Sequence, residues 1–265
     1  SVLSGLILSG AMPVWIAPTY DALWQLALGI TTDAVASALR QNPNAKAVVV
    51  VSPTYEGVCS DIAAISAVVH SYDIPLIVDA AHGPHLAFHA GLPSSALSQN
   101  ADIVIHSAHK VLAAFTQAAL MHVQGDRCDL NRLHQALRMT QSSSPSYLLL
   151  GSLDAARHQM ANDGQVLMEQ TLALADVARR QLCDRLPVFN ASEQSIFQQD
   201  LTRLTVDVSA LDTTGFEADA WLHEHGVTAE LPTLHQLNYI ISLGNSMQDI
   251  KGLVQEITHL PATGA

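Results

Sequence analysis

Only three lysines occur in the 265 residues, and the setting of one, Lys110, differs from the other two. Lys46 follows Asn-Pro-Asn-Ala, a turn ahead of a strand, and Lys251 lies among Asp249, Gln255 and Glu256, so both read as solvated. Lys110 closes the run Ala101-Asp-Ile-Val-Ile-His-Ser-Ala-His-Lys and is followed by Val111 and Leu112. Partial withdrawal from water there favours a neutral, nucleophilic amine, the form that condenses with a carbonyl carbon. Asp79, 31 residues earlier, ends a second apolar run, Pro75-Leu-Ile-Val-Asp. A carboxylate and an amine at the ends of neighbouring strands can face one crevice; alternatively, Asp79 only caps the turn that follows it. Asp79, His82, His85, His89, His106 and His109 also crowd these strand ends, so the zinc or manganese site of a metal-dependent hydrolase is a competing reading. Their spacing fits no standard zinc signature, and a metal would leave Lys110 without a task.

These residues need a sheet to hold them. Ala47–Val51 is a short valine-rich run suited to a strand buried on both faces. Asp61 then stands as N-cap of a helix whose Ile62, Ile65, Val68 and Val69 share one face. Strands are expected over Pro75–Asp79, Ala101–His106 and Ala118–Val123, the last closed by Gly125. Strands alternating with helical stretches argue for an α/β fold, a mostly parallel sheet flanked by helices, with chemistry at the carboxyl ends of the strands. A long helical pattern runs from Tyr147 to about Leu186, weakened at Gly151 and Gly164 and ended by Pro187. Beyond it we expect a small α+β part: a strand Leu204–Val208, a helix Gly215–His225, strands Val227–Leu231 and Tyr239–Leu243, and a closing helix from about Met247. The division is a major domain over 1–186 and a smaller one over 187–265.

Composition narrows the function classes. Hydrophobic residues make up 49% and charged residues 14%, enough to bury a sizeable core. The net charge of -12 argues against nucleic acid and anionic membranes as partners. No apolar stretch is long enough to span a bilayer, and the N-terminus lacks the basic flank of a signal peptide. Cys59, Cys128 and Cys183 are scattered, as expected of reduced thiols in a cytoplasmic protein. Without an initiator Met, and entering directly into an apolar segment, the chain reads as a fragment or a processed product.

Several stretches taken in order carry a resemblance. SGLILSGAMPVWI (4–16), VVVVSPTYEGVCSD (48–61), PLIVDAAHGPHLAFH (75–89), ADIVIHSAHKVLAAFTQAALMHV (101–123) and QSSSPSYLLLGSLD (141–154) resemble the Orn/Lys/Arg decarboxylase family, and so does LTRLTVDVSALDTTGFEADAWLHEHGVTAELPTL (201–234). The resemblance implies the aspartate-aminotransferase type of fold (fold type I) with pyridoxal 5'-phosphate (PLP) as cofactor. It implies that Lys110 forms the Schiff base and Asp79 keeps the pyridine nitrogen protonated, making the ring an electron sink. Ala81 matches the small residue packed on the ring, and His82 a position facing the cofactor and the substrate carboxylate. Ser107 matches a phosphate contact, with His109 beside it. Ser142 matches a hydroxyl reaching the phosphate of a neighbouring subunit, which implies a homodimer. Glu230 matches a family glutamate near the site and is our candidate partner for the cationic tail of a basic amino acid: arginine, lysine or ornithine. His82 or His109 would handle protons, or would only bond a backbone or phosphate oxygen.

The sequence departs from the family pattern in three ways. Ala80 replaces the usual Glu of Asp-Glu-Ala-His, and Ala108 the usual Thr of Gln-Ser-Thr-His-Lys, which bears on fine positioning. The family's ring-stacking histidine and phosphate-cradling turn lie upstream of the segment matched here, and its C-terminal end lies beyond it. A decarboxylase homologue acting as an incomplete subunit is therefore a third reading.

Overall fold

The computed structural model describes residues 2–194 and 196–262. An apolar helix α1 (Val2–Ser9) precedes a two-stranded ribbon, β1 (Tyr20–Asp21) and β2 (Leu26–Ala27). Helix α2 (Thr32–Gln41) leads into β3 (Val48–Val51), and a short β4 (Val58–Cys59) into α3 (Ile62–His70). Next come β5 (Leu76–Asp79), β6 (Ile103–His106), the one-turn helix α4 (Ala108–Val111) and β7 (Leu120–Val123). Helices α5 (Leu130–Thr140) and α6 (Tyr147–Cys183) follow. The chain continues through β8 (Gln198–Gln199), β9 (Arg203–Asp207), α7 (Gly215–Glu224), β10 (Leu231–Pro232), β11 (Gln236–Ile240) and α8 (Met247–His259). Among the described residues no helix is long and apolar enough to cross a membrane.

The principal sheet has the order β3-β5-β6-β7. The first three strands are parallel, while β7 turns back antiparallel straight after α4, with no crossover helix between. Val50, Val78 and Val104 lie in register and share a buried cluster with Val35 and Leu39 of α2 and Ile62, Ile65 and Val69 of α3. Asp61 caps α3 as expected, its Oδ1 accepting the Ala64 amide at 2.9 Å. Side chains alternate along a strand, so Val51, Asp79 and Ile105, also in register, lie on the opposite face. That face is thinly covered: Val49 and Val51 are 51% and 52% exposed, where burial on both faces was expected.

A second, antiparallel sheet has the order β10-β11-β9. Most of the expected strand over Val227–Leu231 does not form, because its amides are claimed elsewhere. Val227 N donates to Leu222 O at the end of α7, and Ala229 N to Asp219 Oδ1, each at 2.9 Å. The strand expected over Tyr239–Leu243 starts earlier, at Gln236, and ends at Ile240. Ile241 N turns to Thr202 O instead.

Helix α6 has no proline in its 37 residues and buries a stripe of Ala156, Met160, Gly164, Met168, Thr171, Ala175, Ala178 and Leu182. Its first half packs with Cys59, Leu86 and Leu92, and its second with Leu204, Leu222, Leu237 and Ile250. The two glycines in it differ. A Cβ on Gly151 would meet nothing within 4 Å, whereas one on Gly164 would lie 3.0 Å from Phe88 Cδ1. Gly151→Ala is thus expected to raise the thermal midpoint, reflecting up to ~1 kcal/mol of helix propensity. Gly164→Ala is expected to lower it by crowding Phe88; equal shifts in thermal denaturation would contradict the packing described here.

Candidate active site

Strands β5 and β6 run side by side in the same direction, and Asp79 pairs with Ile105 near the end of both. Asp79 is half-buried, and its Oδ1 accepts the Ala81 amide at 3.2 Å, so it does cap the following turn. Its Oδ2 has no hydrogen-bond partner among the described residues. The turn, closed by Gly83 N to Ala80 O at 2.8 Å, carries Ala81 and the buried His82 beyond the strand end. Beyond β6, Ser107 opens α4 without using its hydroxyl as a cap. One turn of helix directs Ala108 and Val111 inward and leaves Lys110 exposed, so the withdrawal from water expected of this lysine does not occur. Lys110 Nζ nevertheless lies 3.2 Å from His82 Nε2.

Behind His82 stands a group of charges that the sequence reading left out. Arg203 Nη2 donates to His82 Nδ1 at 3.3 Å and to His82 O at 3.4 Å. Arg203 and Asp200 are both fully buried, Arg203 Nε lying 3.6 Å from Asp200 Oδ2. His85 Nε2 approaches the same oxygen at 3.0 Å, and Thr202 gives Asp200 Oδ1 its amide at 3.0 Å and its hydroxyl at 2.7 Å. Burial alone would raise the Asp200 carboxyl; His85, Arg203 and the Thr202 hydroxyl outweigh it and hold the group well below the usual carboxylate range. His82 is pushed down to about 3, first by burial and then by the cations Arg203 and Lys110. At neutral pH its ring is uncharged, so His82 holds no spare proton to deliver. Tyr55 lies against it, ring centroids 4.5 Å apart, and donates its hydroxyl to Glu230 Oε1 at 2.6 Å. Burial and the hydrogen bond to Glu230 push the phenol up to about 12, so it remains a donor.

The other expected residues divide. Glu230 joins the group through Tyr55. His109 Nδ1 lies 2.9 Å from the Ala118 carbonyl, which ties α4 to the start of β7 and matches the backbone-bonding alternative. Ser142 is exposed and bonds only locally, to Ser144 O, apart from the rest. The histidines of the metal reading go separate ways: His85 to Asp200, His89 to Glu169 at 2.6 Å, and His106 against His122 with centroids 4.9 Å apart. No group of three or more His, Cys, Asp or Glu able to hold a metal gathers among the described residues. Arg203 and Asp200 did leave a trace in the sequence, as charges before and inside the apolar run Asp-Leu-Thr-Arg-Leu-Thr-Val.

The model of the Orn/Lys/Arg decarboxylase major domain matches residues 1–203. The chain belongs to this family. An arginine decarboxylase of Halalkalibacterium halodurans is 36% identical over 266 residues, which cover 98% of this chain and 54% of that protein. The lysine decarboxylase LdcA of Pseudomonas aeruginosa is 31% identical over 207 residues, covering 69% of this chain and 27% of its own. In the fold, lysine decarboxylase A from Pseudomonas aeruginosa superimposes with a TM-score of 0.82 at 23% identity, over 97% of this chain and 44% of that one. The chain therefore spans about half the length of the arginine decarboxylases it matches.

The buried rings set an acid limit on the fold. His106 is pushed down to about 4 by burial, with His122 and His85 adding to it. Below the ordinary 6.5 the unfolded chain takes up protons at His82 and His106 that the folded chain refuses until about 3 and about 4. Stability is therefore full above 6.5 and drains as pH falls through that window. Urea midpoints are expected to be lower at about pH 5 than at about pH 7, and the drop to be smaller in His106→Gln. A midpoint that holds or rises on acidification would contradict this.

Proposed function

We propose that this chain forms the PLP-binding core of a decarboxylase that converts a basic amino acid, arginine, lysine or ornithine, to its amine. The observation that carries the reading is the meeting of Lys110 with His82 at the carboxyl ends of β5 and β6, where Asp79 ends the neighbouring strand. The side chains fit the group in kind. Lys110 offers an exposed amine, Asp79 an oxygen with no hydrogen-bond partner among the described residues, and Ser107 a hydroxyl not used in capping. Bound PLP supplies an acceptor for the electron pair left when the bond between Cα and the carboxylate breaks.

The residues of this chain do the rest. Asp79 keeps the proton on the ring nitrogen that makes such an acceptor effective, and Ala81 leaves room for a flat ring. Ser107 offers its hydroxyl to the phosphate. Lys110 would hold the cofactor through Nζ, and the same atom could carry the proton that Cα takes up in place of carbon dioxide. His82, uncharged, orients groups around that amine by hydrogen bonding. Glu230 faces the cationic end of the substrate, with Tyr55 holding its carboxylate in place. The working unit is a homodimer in which the exposed Ser142 meets the phosphate of a second copy.

Incubation of the protein with PLP and each of the three amino acids, followed by amine analysis, tests the reading. One amine is expected to predominate, and Lys110→Ala to lose both turnover and the visible absorbance of bound cofactor. Glu230→Gln is expected to raise KM about tenfold with kcat less affected. Cofactor binding without any of the three amines would overturn the substrate class; cofactor retained by Lys110→Ala would overturn the assignment of the lysine.

A further inference from the structure

Arginine has donors only and stays charged throughout the working pH range. Arg203 places one amino group, Nη2, between two acceptors of a single residue, Nδ1 and the carbonyl oxygen of His82, at 3.3 and 3.4 Å. That nitrogen has two hydrogens, one for each. Nδ1 must therefore present its lone pair, and a neutral imidazole with a bare Nδ1 carries its proton on Nε2. Nε2 is the atom that lies 3.2 Å from Lys110 Nζ.

Little freedom is left to either partner. Arg203 is fully buried, and its Nε faces Asp200, which is itself fixed by Thr202 and His85. Gly57, at φ +88, closes over the stem of Arg203 so tightly that a Cβ would stand 2.6 Å from Arg203 Cγ. Tyr55 packs against the His82 ring, tilted 57° to it with centroids 4.5 Å apart. A ring flip would exchange Nδ1 for Cδ2–H and leave the guanidinium without an acceptor on the ring.

Resting on the reading of Lys110 as the reactive amine, we propose that Arg203 is a positioning residue: it fixes His82 as the Nε2–H tautomer, so that His82 serves Lys110 as a hydrogen-bond donor and never as a proton acceptor. As a cation Lys110 has only donors to set against Nε2–H at 3.2 Å, so the pair forms its hydrogen bond only once Nζ gives up a proton and offers a lone pair, which is the form that attacks an aldehyde carbon. When the amine is engaged elsewhere, the same N–H is presented to whatever acceptor takes its place, such as a substrate carboxylate oxygen.

The test reads the tautomer directly. In the full chain with nitrogen-15 histidine, long-range NMR correlations, with His82 assigned through His82→Asn, are expected to show the neutral Nε2–H form at about pH 7. The Nδ1–H form or a charged ring in the wild type would overturn the proposal without any variant. In Arg203→Met the ring is expected to become a mixture of tautomers; a pure Nε2–H ring in that folded variant would also overturn it. A second readout traps the amine with PLP and borohydride and counts modification at Lys110 against Lys46 and Lys251 in the same sample. Arg203→Gln, which retains an N–H donor, is expected to keep the wild-type ratio, and Arg203→Met to lower it about tenfold; equal ratios in the two would count against the donor role. Because the tautomer is read without cofactor or substrate, failure of decarboxylation and failure of this inference give different results.

Discussion

Parallel pairing of β5 with β6 governs where Asp79, His82 and Lys110 are placed. The register that sets Val78 beside Val104 also sets Asp79 beside Ile105, so both strands stop at the same edge and their turns leave on the same side. An offset of one residue would move Asp79 to the face that holds the valine cluster, and a carboxylate there would meet only hydrocarbon. The apolar pattern of the strands thus secures the polar chemistry at their ends. Buried Val50, Val78 and Val104 enforce a register whose consequence appears one residue further along.

The second organising feature is electrostatic. Asp200 and Arg203 lie entirely out of water, an arrangement that a protein tolerates only when each charge has partners. Asp200 Oδ1 accepts twice from Thr202, while its Oδ2 lies 3.0 Å from His85 Nε2 and 3.6 Å from Arg203 Nε without a hydrogen bond among the described residues. Arg203 is less fully supplied: Nε and Nη1 have no hydrogen-bond partner among the described residues, while Nη2 is turned toward His82. A guanidinium held in this way contributes little to stability by itself. Its effect is on the imidazole it faces, which burial first and this cation second keep uncharged at neutral pH.

Much of this could be read from residue order, because many of the determinants are local. The Val48–Val51 strand, the Asp61 cap, the proline-free helix α6 and the strand-end position of Asp79 all follow from short-range pattern. What escaped depends on contacts between distant residues. His82 and Arg203 are separated by 121 positions, and Tyr55 and Glu230 by 175. No periodicity encodes such meetings. Residues 227–231 read as a strand in sequence, but Leu222 and Asp219 claim two of their amides in space. Lys110 was expected to be withdrawn from water because Val111 and Leu112 follow it, yet a single helical turn sends neighbours in opposite directions.

Helix α6 touches two separate hydrophobic clusters along its length, and the residues of the proposed site lie beside segments of both. Lys110, Asp79 and His82 issue from the edge of the parallel sheet, whereas Arg203 begins β9, whose Leu204 and Val206 sit in the cluster around the far half of the helix. The separation between guanidinium and imidazole is therefore a gauge of how the two clusters are seated on their common rod. A methyl group added or removed deep in the distal cluster, far from any reacting atom, would be felt at the nitrogen facing the lysine.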